Sequence, residues 1–295
     1  NMKRILFVGG GTGGHIFPLI AVGRELQKSV SEKGVNLELL AIAESGRWRK
    51  DFENEGIRFK KIFAPKLRRV EGGRLNFFAF LALPITLIQA FWLLFTFMPD
   101  LVFSKGGFVS VMPVFAGFLY FIPVFVHESD AIPGLANRLA AKLAKKIFVS
   151  FENAAKRFPA SKTVLSGNPI RENLLTGERS GAVAYFSINP GRKTVLFLAG
   201  SQGAAFVNNL VIEGLVQLVR EYQVIHQAGP KNIDSVRQET ERIKKEGAIG
   251  YGADIEKNYR LFDFLDEEAL KNAYAVADVI VSRSGSNIFE IAPLG

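Results

Sequence analysis

One pattern recurs along this chain: a short apolar run, a turn rich in small residues, and then a stretch with helical periodicity. The apolar runs at residues 5–8 and 101–104 each lead into a glycine turn, and the runs at 194–199 and 279–282 do the same. Strands that alternate with helices are typical of βαβ units, whose strands form a parallel sheet. The sequence therefore predicts an α/β fold built on parallel sheets.

A break in this pattern divides the chain. Residues 167–192 are rich in glycine and proline and lack a long apolar period, which indicates a linker. We predict two domains, 1–170 and 171–295, in agreement with a prior of about 150 residues per domain. The second pattern stops soon after a strand-to-helix turn at residues 282–285. We expect the second domain to be truncated, and the chain to be a piece of a longer protein with impaired activity.

Composition excludes several kinds of site. The chain has no cysteine, which rules out disulfides, zinc-thiolate sites, iron–sulfur clusters and cysteine nucleophiles. With three histidines (His15, His127 and His226), a multi-histidine metal site is not expected. The first residues lack the apolar core of a signal peptide, so we predict no export by that route. A formal net charge of +9 favours a polyanionic partner: nucleic acid, an anionic membrane or a phosphate-bearing substrate.

Residues 75–98 carry no charged side chain and are long enough, at about 1.5 Å per residue, to cross a bilayer. Three interpretations compete: a spanning helix, a crossover helix buried against the sheet, and a helix that packs on the sheet and docks on a membrane surface. A spanning helix would separate strands of one sheet, and a buried crossover helix usually carries charges on its solvent face. We favour docking, because Lys66, Arg68, Arg69 and Arg74 precede the stretch and suit an anionic leaflet.

The first glycine-rich turn, residues 9–15, follows a predicted strand and opens a predicted helix. Glycine lets the backbone approach a ligand closely, and free amides at a helix start bind phosphate. Gly9, Gly11 and Gly14 also match the dinucleotide pattern GxGxxG, for which Glu44 is a candidate ribose-binding acid. A tight turn without a ligand is the alternative interpretation.

Three further turns of this type follow predicted strands. They lie at residues 105–107, 200–204 and 283–287, and the last leads to Glu290, a carboxylate suited to accept two ribose hydroxyls. Ligands of open α/β sheets bind at the carboxyl ends of the strands. A dehydrogenase needs one such turn, whereas turns in both domains suit two phosphorylated substrates that face each other across a cleft. The sequence therefore favours a group-transfer enzyme.

Six motifs in order carry a resemblance over nearly the whole chain. They are GGGTGGHIFP at 9–18, SKGGFVS at 104–110, HESDAIPGLAN at 127–137, GNPIR at 167–171, GSQGA at 200–204 and SRSGSNIFE at 282–290. Through them the chain resembles the MurG family, the UDP-N-acetylglucosamine (UDP-GlcNAc) transferases that act on undecaprenyl-pyrophosphoryl-N-acetylmuramoyl-pentapeptide in peptidoglycan synthesis. The resemblance implies a GT-B fold: two Rossmann-like, doubly wound parallel-sheet domains facing a cleft.

The resemblance also implies partners and a place of action. The N-terminal domain would bind the undecaprenyl-linked acceptor and dock on the membrane, and the C-terminal domain would bind UDP-GlcNAc. We expect a peripheral protein at the cytoplasmic face of the cell membrane, with no cofactor and no nucleic-acid partner. No Asp-x-Asp motif stands where a metal would bind the diphosphate, so we predict no obligatory metal.

Substrate-binding roles follow by position in the family's motifs. Thr12, Gly13 and Gly14 match the sugar-binding turn, and Arg171 and Ser201 match residues near the donor diphosphate. These assignments are implied by the resemblance.

The other assignments lie in the same motifs or close to them. Leu265 matches the position whose backbone reads the uracil, and Glu290 matches the ribose-binding acid. The remaining candidates are turn and loop residues: Gly106, Gly107, Asp130, Asn137, Gln202, Gly203, Ser286 and Asn287.

Two departures from the family pattern weaken these assignments. Asp130 stands where many members have an asparagine that contacts the donor sugar, and the segment before Glu290 is one residue shorter than usual. The family also has a donor-sugar loop and a C-terminal helix beyond the last residue of this chain.

The family's reaction inverts the donor sugar, which requires a base for the acceptor hydroxyl and stabilisation of the leaving diphosphate. His15, at the head of the first helix, is the candidate base, with an unperturbed pKa of about 6.5. A role in packing or hydrogen bonding of the turn is an equal alternative for His15, and Asp130 is a second candidate base. Arg171 and the amides around Ser201 would meet the charge on the leaving group.

Three other functions remain open on the sequence. They are another lipid-acceptor transferase such as a diacylglycerol glycosyltransferase, an NAD-dependent oxidoreductase, and an inactive membrane-binding module.

Overall fold

The structure, a computed structural model, describes residues 2–64, 83–200, 203–246 and 251–295. It divides into two compact units, Asn1–Ile170 and Arg171–Gly295. Each unit is an α/β domain on a parallel sheet, so the predicted fold class is confirmed.

The first unit contains a seven-stranded parallel sheet. Its strands are β1 (Met2–Gly9), β2 (Asn36–Ala43), β3 (Arg58–Lys61), β4 (Leu101–Gly106), β5 (Val124–Glu128), β6 (Lys146–Val149) and β7 (Thr163–Leu165). They pair in the order β3-β2-β1-β4-β5-β6-β7. The order reverses between β1 and β4, and such a switch point is where open α/β sheets bind ligands.

Helices of the first unit connect these strands. They are α1 (Gly13–Ser31), α2 (Arg49–Glu53), α3 (Leu83–Phe97), α4 (Val111–Leu119), α5 (Leu135–Leu143) and α6 (Glu152–Ala155). From Ile5 to Val8 the central strand β1 is apolar without alternation, and Leu6, Phe7 and Val8 are fully buried. Strands of parallel sheets have such continuous apolar runs because helices cover both faces of the sheet.

The second unit has a four-stranded parallel sheet. Its strands are β8 (Thr194–Leu198), β9 (Gln223–Gln227), β10 (Tyr259–Phe262) and β11 (Val279–Ser282), in the order β10-β9-β8-β11. The helices are α7 (Arg179–Phe186), α8 (Ala205–Glu221), α9 (Ile233–Glu246), α10 (Tyr251–Asn258), α11 (Glu267–Val276) and α12 (Ile288–Ile291). Here β8 and β11 flank the switch point.

The predicted linker at 167–192 is wrong. Half of its residues form a 3-10 turn, Glu172–Thr176, and the helix α7 that follows it. Leu174, Ala182 and Phe186 are buried in the core of the second unit. The glycines and prolines mark the ends of these short elements, and the elements are too short to show a helical period in the sequence.

The apolar stretch at 75–98 is described from residue 83 onward. Helix α3 buries Ala90, Leu94 and Phe97 in the core of the first unit. Its other face is also apolar, with Ile88 and Trp92 exposed by 69% and 68%. A crossover helix that is merely buried would place charges on that face. Lys66, Arg68, Arg69, Arg74 and residues 75–82 lie outside the described residues.

Across the part of the chain that the structure describes, no helix has both the length and the apolarity needed to cross a membrane.

Candidate active site

Two glycine turns meet at the switch point of the first unit. The amide of Gly10, after β1, donates to the carbonyl of Gly106, at the end of β4, at 3.0 Å. Gly106 and Gly107 have φ values of +90° and +84°, which L side chains rarely adopt. A Cβ on Gly107 would lie 2.7 Å from the Cα of Gly10. The close approach of the two turns therefore requires glycine at this position.

His15 lies in the first turn of α1, and Thr12 is the residue before this helix. Its Nδ1 is 2.8 Å from the Thr12 hydroxyl, and its Nε2 has no hydrogen-bond partner among the described residues. Burial and, to a smaller extent, the positive charge of Lys105 lower the pKa of His15 to about 4, while the charge of Asp130 opposes the shift. His15 is therefore neutral at pH 7. When Nδ1–H donates to Thr12, the lone pair of Nε2 is free to accept a proton.

Lys105 lies beneath the glycine turns and is 1% exposed. Its ammonium contacts His127 Nδ1 at 2.9 Å, Asn168 Oδ1 at 3.2 Å and the hydroxyl of Ser129. Burial lowers the pKa of Lys105 to about 7, and the charges of Glu128 and Asp130 oppose this shift. Lys105 thus joins β4 to the segments that follow β5 and β7. Lys105 has no role among the predictions from sequence, although a lysine between an apolar strand and two glycines is a usable signal.

Asp130 lies in a loop that Glu128 organises. One oxygen of Glu128 accepts from the amide of Asp130 at 2.9 Å, and the other accepts from Gly134 and Asn137 at 3.0 Å each. Asn137 is buried against the turn, since a Cβ on Gly106 would lie 2.7 Å from its Oδ1. That oxygen has no partner among the described residues. The first unit therefore brings together Thr12, His15, Gly106, Asp130 and Asn137.

In the first glycine-rich turn, only some of the backbone amides are free to bind a phosphate. The amide of Gly10 already binds Gly106, and the amide of Gly11 binds a carboxylate oxygen of Glu44 at 2.8 Å. The amides of Gly13 and Gly14 remain at the start of α1. Because Glu44 is bound to the turn itself, the dinucleotide reading loses its candidate ribose acid.

The turn after β8 begins and ends with glycines in the left-handed region. Gly200 and Gly203 both have φ of +79°, and a Cβ on Gly203 would lie 2.8 Å from the carbonyl oxygen of Ala228. Ser201 and Gln202 lie outside the described residues. Gly203 lies two residues before the start of α8, so the turn leads into a helix N-terminus, where an anion can bind.

Arg171 and Glu290 form a buried ion pair in the second unit. Arg171 Nε and Nη2 donate to the two oxygens of Glu290 at 2.9 Å each, and Glu267 lies 3.6 Å from Nη1. The hydroxyl of Tyr274 is buried without a partner among the described residues, and burial together with the charge of Glu290 raises its pKa. From the sequence, Arg171 was predicted near the diphosphate and Glu290 near the ribose, and their bond to each other was not predicted.

The remaining candidates of the second unit occupy two segments. Leu265 is buried, and its amide donates to Gln227 Oε1 at 3.2 Å. Ser286 and Asn287 are half-buried in the turn between β11 and α12. Among the described residues, no group of three or more histidine, aspartate or glutamate side chains is arranged to bind a metal ion.

Two family models match the chain. The model of the glycosyltransferase family 28 N-terminal domain covers residues 5–149, and that of the C-terminal domain of the same family covers residues 194–295. A transferase from Bacillus cereus is 37% identical over 99% of this chain and 77% of that protein. It is named UDP-N-acetylglucosamine–N-acetylmuramyl-(pentapeptide) pyrophosphoryl-undecaprenol N-acetylglucosamine transferase 2. The chain belongs to the MurG group of glycosyltransferase family 28.

Another relative and a solved MurG structure agree with this assignment to family 28. A transferase of the same name from Treponema denticola is 34% identical over 100% of the chain and 75% of that protein. The crystal structure of Acinetobacter baumannii MurG matches with a TM-score of 0.63 and 25% identity, covering 99% of this chain and 76% of that one. A UDP-GlcNAc 2-epimerase from Neisseria meningitidis has a TM-score of 0.66 at 16% identity, which shows the shared GT-B fold.

Proposed function

We propose that this family 28 chain transfers GlcNAc from UDP-GlcNAc to the undecaprenyl-pyrophosphoryl-MurNAc-pentapeptide acceptor of peptidoglycan synthesis. The observation that carries the proposal is the match, over 99% of the chain, to relatives that are named for this reaction. Turns at the switch points of both sheets support it, because a transferase must bind two substrates.

In the proposed reaction, the acceptor hydroxyl attacks the anomeric carbon of the donor sugar while the bond from that carbon to UDP breaks. His15 Nε2 takes the proton of the hydroxyl, and UDP leaves with the bonding electrons. The first unit binds the acceptor, and the second unit binds UDP-GlcNAc at Gly203 and its turn, Leu265, Ser286 and Asn287. Glu290, whose two oxygens already accept from Arg171, binds the ribose hydroxyls with its second lone pairs. Asp130 is the alternative base.

Replacing Gly203 by alanine is expected to weaken UDP-GlcNAc binding at least about tenfold, measured by calorimetry. The new Cβ would meet the carbonyl of Ala228 at 2.8 Å, and φ of +79° is unfavourable for alanine. Gly214→Ala is the matched control, since a Cβ at Gly214, within α8, makes only contacts of 3.6 Å or longer. Equal affinities for the two variants would show that the turn after β8 does not bind the donor.

Calorimetry also distinguishes the competing functions. We expect binding heat when the protein is titrated with UDP or UDP-GlcNAc, and none with NAD. Binding of NAD without binding of UDP would favour the oxidoreductase. Transfer of labelled GlcNAc to the lipid-linked acceptor, compared with transfer to diacylglycerol, distinguishes the two kinds of transferase. UDP-GlcNAc binding without transfer by the full-length protein would indicate an inactive module.

We further propose that the protein works peripherally, at the cytoplasmic face of the cell membrane. The outer face of α3 continues onto α4, because Phe91 and Tyr120 contact each other with ring centroids 5.3 Å apart. Phe121, at the end of α4, is 95% exposed. An apolar surface of this kind beside basic residues is suited to an anionic membrane interface.

Further basic side chains lie on α5, which packs against α4, and on the segment that follows α6. They line a groove of about 500 Å³ with Leu135, Leu139 and Phe158. The basic residues of the groove are Arg138, Lys142, Arg157 and Lys162. They would add to the proposed contribution of Lys66, Arg68, Arg69 and Arg74.

Substituting Trp92 by glutamate is expected to reduce partition onto vesicles containing phosphatidylglycerol by roughly tenfold or more, because it removes a large apolar side chain from the interface and adds a repelled charge. Sedimentation with vesicles measures the effect. Phe206→Glu is the matched control, since Phe206 is a similarly exposed aromatic residue of the second unit. If both variants partition like the wild type, the α3 face is not the docking surface.

A further inference from the structure

Glu44 directly follows β2 and reaches across to the glycine turn that follows β1. Its Oε1 accepts the amide proton of Gly11 at 2.8 Å. Its Oε2 is buried and has no partner among the described residues. A buried carboxylate oxygen without a partner lowers stability, so its presence calls for a reason other than stability.

Trp48 binds the same glycine from the other side. Its indole Nε1–H donates to the carbonyl of Gly11 at 3.0 Å. The ring is 2% exposed and packs edge-to-face on Phe17 of α1, with centroids 5.3 Å apart. Both backbone groups of Gly11 are therefore bound by the segment that follows β2.

Close approach explains the glycine at position 11. Gly11 does not belong to the glycines with positive φ, so its backbone angle does not require glycine. A Cβ at this position would lie 2.6 Å from Glu44 Oε1. The missing side chain thus makes room for the carboxylate.

Gly11 is directly followed by Thr12, which arranges the candidate base. The carbonyl of Thr12 accepts the amide protons of His15 and Ile16 at 3.0 and 3.2 Å, and its hydroxyl lies 2.8 Å from His15 Nδ1. Any shift of Gly11 moves Thr12 and with it the ring of His15.

We propose that Glu44 is a positioning residue for the transfer reaction: its carboxylate fixes Gly11, and through Thr12 it fixes the orientation of His15. The catalytic consequence rests on the proposed function, whereas the contact with Gly11 does not. The same carboxylate keeps a phosphate away from the Gly11 amide, because two anions would compete for one donor.

Two substitutions separate the reach of the side chain from its charge. Glu44→Asp keeps the charge but is one methylene too short to bind Gly11, and we expect kcat to fall roughly 10- to 100-fold with little change in KM. Glu44→Gln loses the charge but keeps an acceptor oxygen, and we expect its kcat to stay within about threefold of the wild type. Glu53→Ala, which removes an exposed carboxylate of α2, is the control. The reverse ranking of Asp and Gln would overturn the proposal.

A double-mutant cycle tests whether Glu44 acts through Gly11. Gly11→Ala displaces the carboxylate, so we expect it to lower kcat as Glu44→Ala does, and the double variant to be no worse than either. If the loss of kcat in the double variant is the product of the losses in the two single variants, the two residues act separately and the proposal is overturned.

Amide hydrogen exchange of residues 9–15 provides a readout that does not need activity. Exchange at Gly11 is expected to speed up at least about tenfold in Glu44→Asp and to stay near the wild-type rate in Glu44→Gln. Unchanged exchange in Glu44→Asp would refute the contact. Altered exchange in a protein that transfers no sugar would instead count against the proposed function.

Discussion

Replacing His15 by alanine is expected to lower kcat of the full-length protein at least about 100-fold, the lower end of what general-base catalysis contributes. The Nε2 of His15 is the ring nitrogen without a partner among the described residues, so its loss removes the proposed proton acceptor. Lys28→Ala, an exposed position on the same helix, is the control. A loss of kcat of less than tenfold would exclude His15 as the base and would favour Asp130 in that role.

The pH profile gives this prediction a second test. Because the pKa of His15 is lowered to about 4, kcat/KM should not fall on account of this residue until the pH drops through that value. The positive charge of Lys105 contributes to the lowered pKa. In Lys105→Met that contribution is gone, so the acid limb should move to higher pH. If the acid limb of the pH profile does not move, the charge of Lys105 does not influence the pKa of the catalytic base.

Replacing Glu290 by alanine is expected to lower the free energy of unfolding by about 3–5 kcal/mol, because it leaves the buried guanidinium of Arg171 without its main partner. Glu267, at 3.6 Å from Arg171, would recover a small part of this loss. Denaturant unfolding measures it. UDP affinity should fall as well if Glu290 also accepts the ribose hydroxyls.

Two further variants check the physical cause. The double variant Arg171→Met with Glu290→Leu should be more stable than either single variant, since no charge is then left buried without a partner. Glu53→Ala removes an exposed carboxylate paired with Arg49, and it should cost less than about 1 kcal/mol. Similar losses at Glu53 and Glu290 would mean that burial does not strengthen the second pair.

Some elements were predictable because their signal is local. The turn from β1 into α1 follows from a buried apolar run and a glycine cluster, and β8 and β11 follow from similar runs. The edge strands β3 and β7 could not be predicted from the sequence in this way. Edge strands are short, and β3 carries three basic residues of four, so neither has the apolar run that identifies a buried strand.

The candidate site also contains residues that local sequence patterns predict and residues that they do not. Thr12, Gly106 and Gly203 were predicted as site residues from motifs that recur at strand ends. Glu44 was noted for a dinucleotide pattern, and its bond to Gly11 joins residues 33 positions apart. Lys105 went unassigned because its partners come from two other segments.

The sequence by itself determined the class of fold, the positions of the glycine turns and the family, because these depend on apolar periodicity and on residue types at neighbouring positions. The tertiary structure decided which charges are paired. Arg171 and Glu290 are 119 positions apart, and only the folding of the second unit brings their side chains within 2.9 Å. The sequence around a carboxylate near a glycine turn is the same whether the carboxylate binds a ligand or already binds the protein. Only a hydrogen bond between neighbouring strand ends distinguishes the two cases, and that bond exists only in the folded chain.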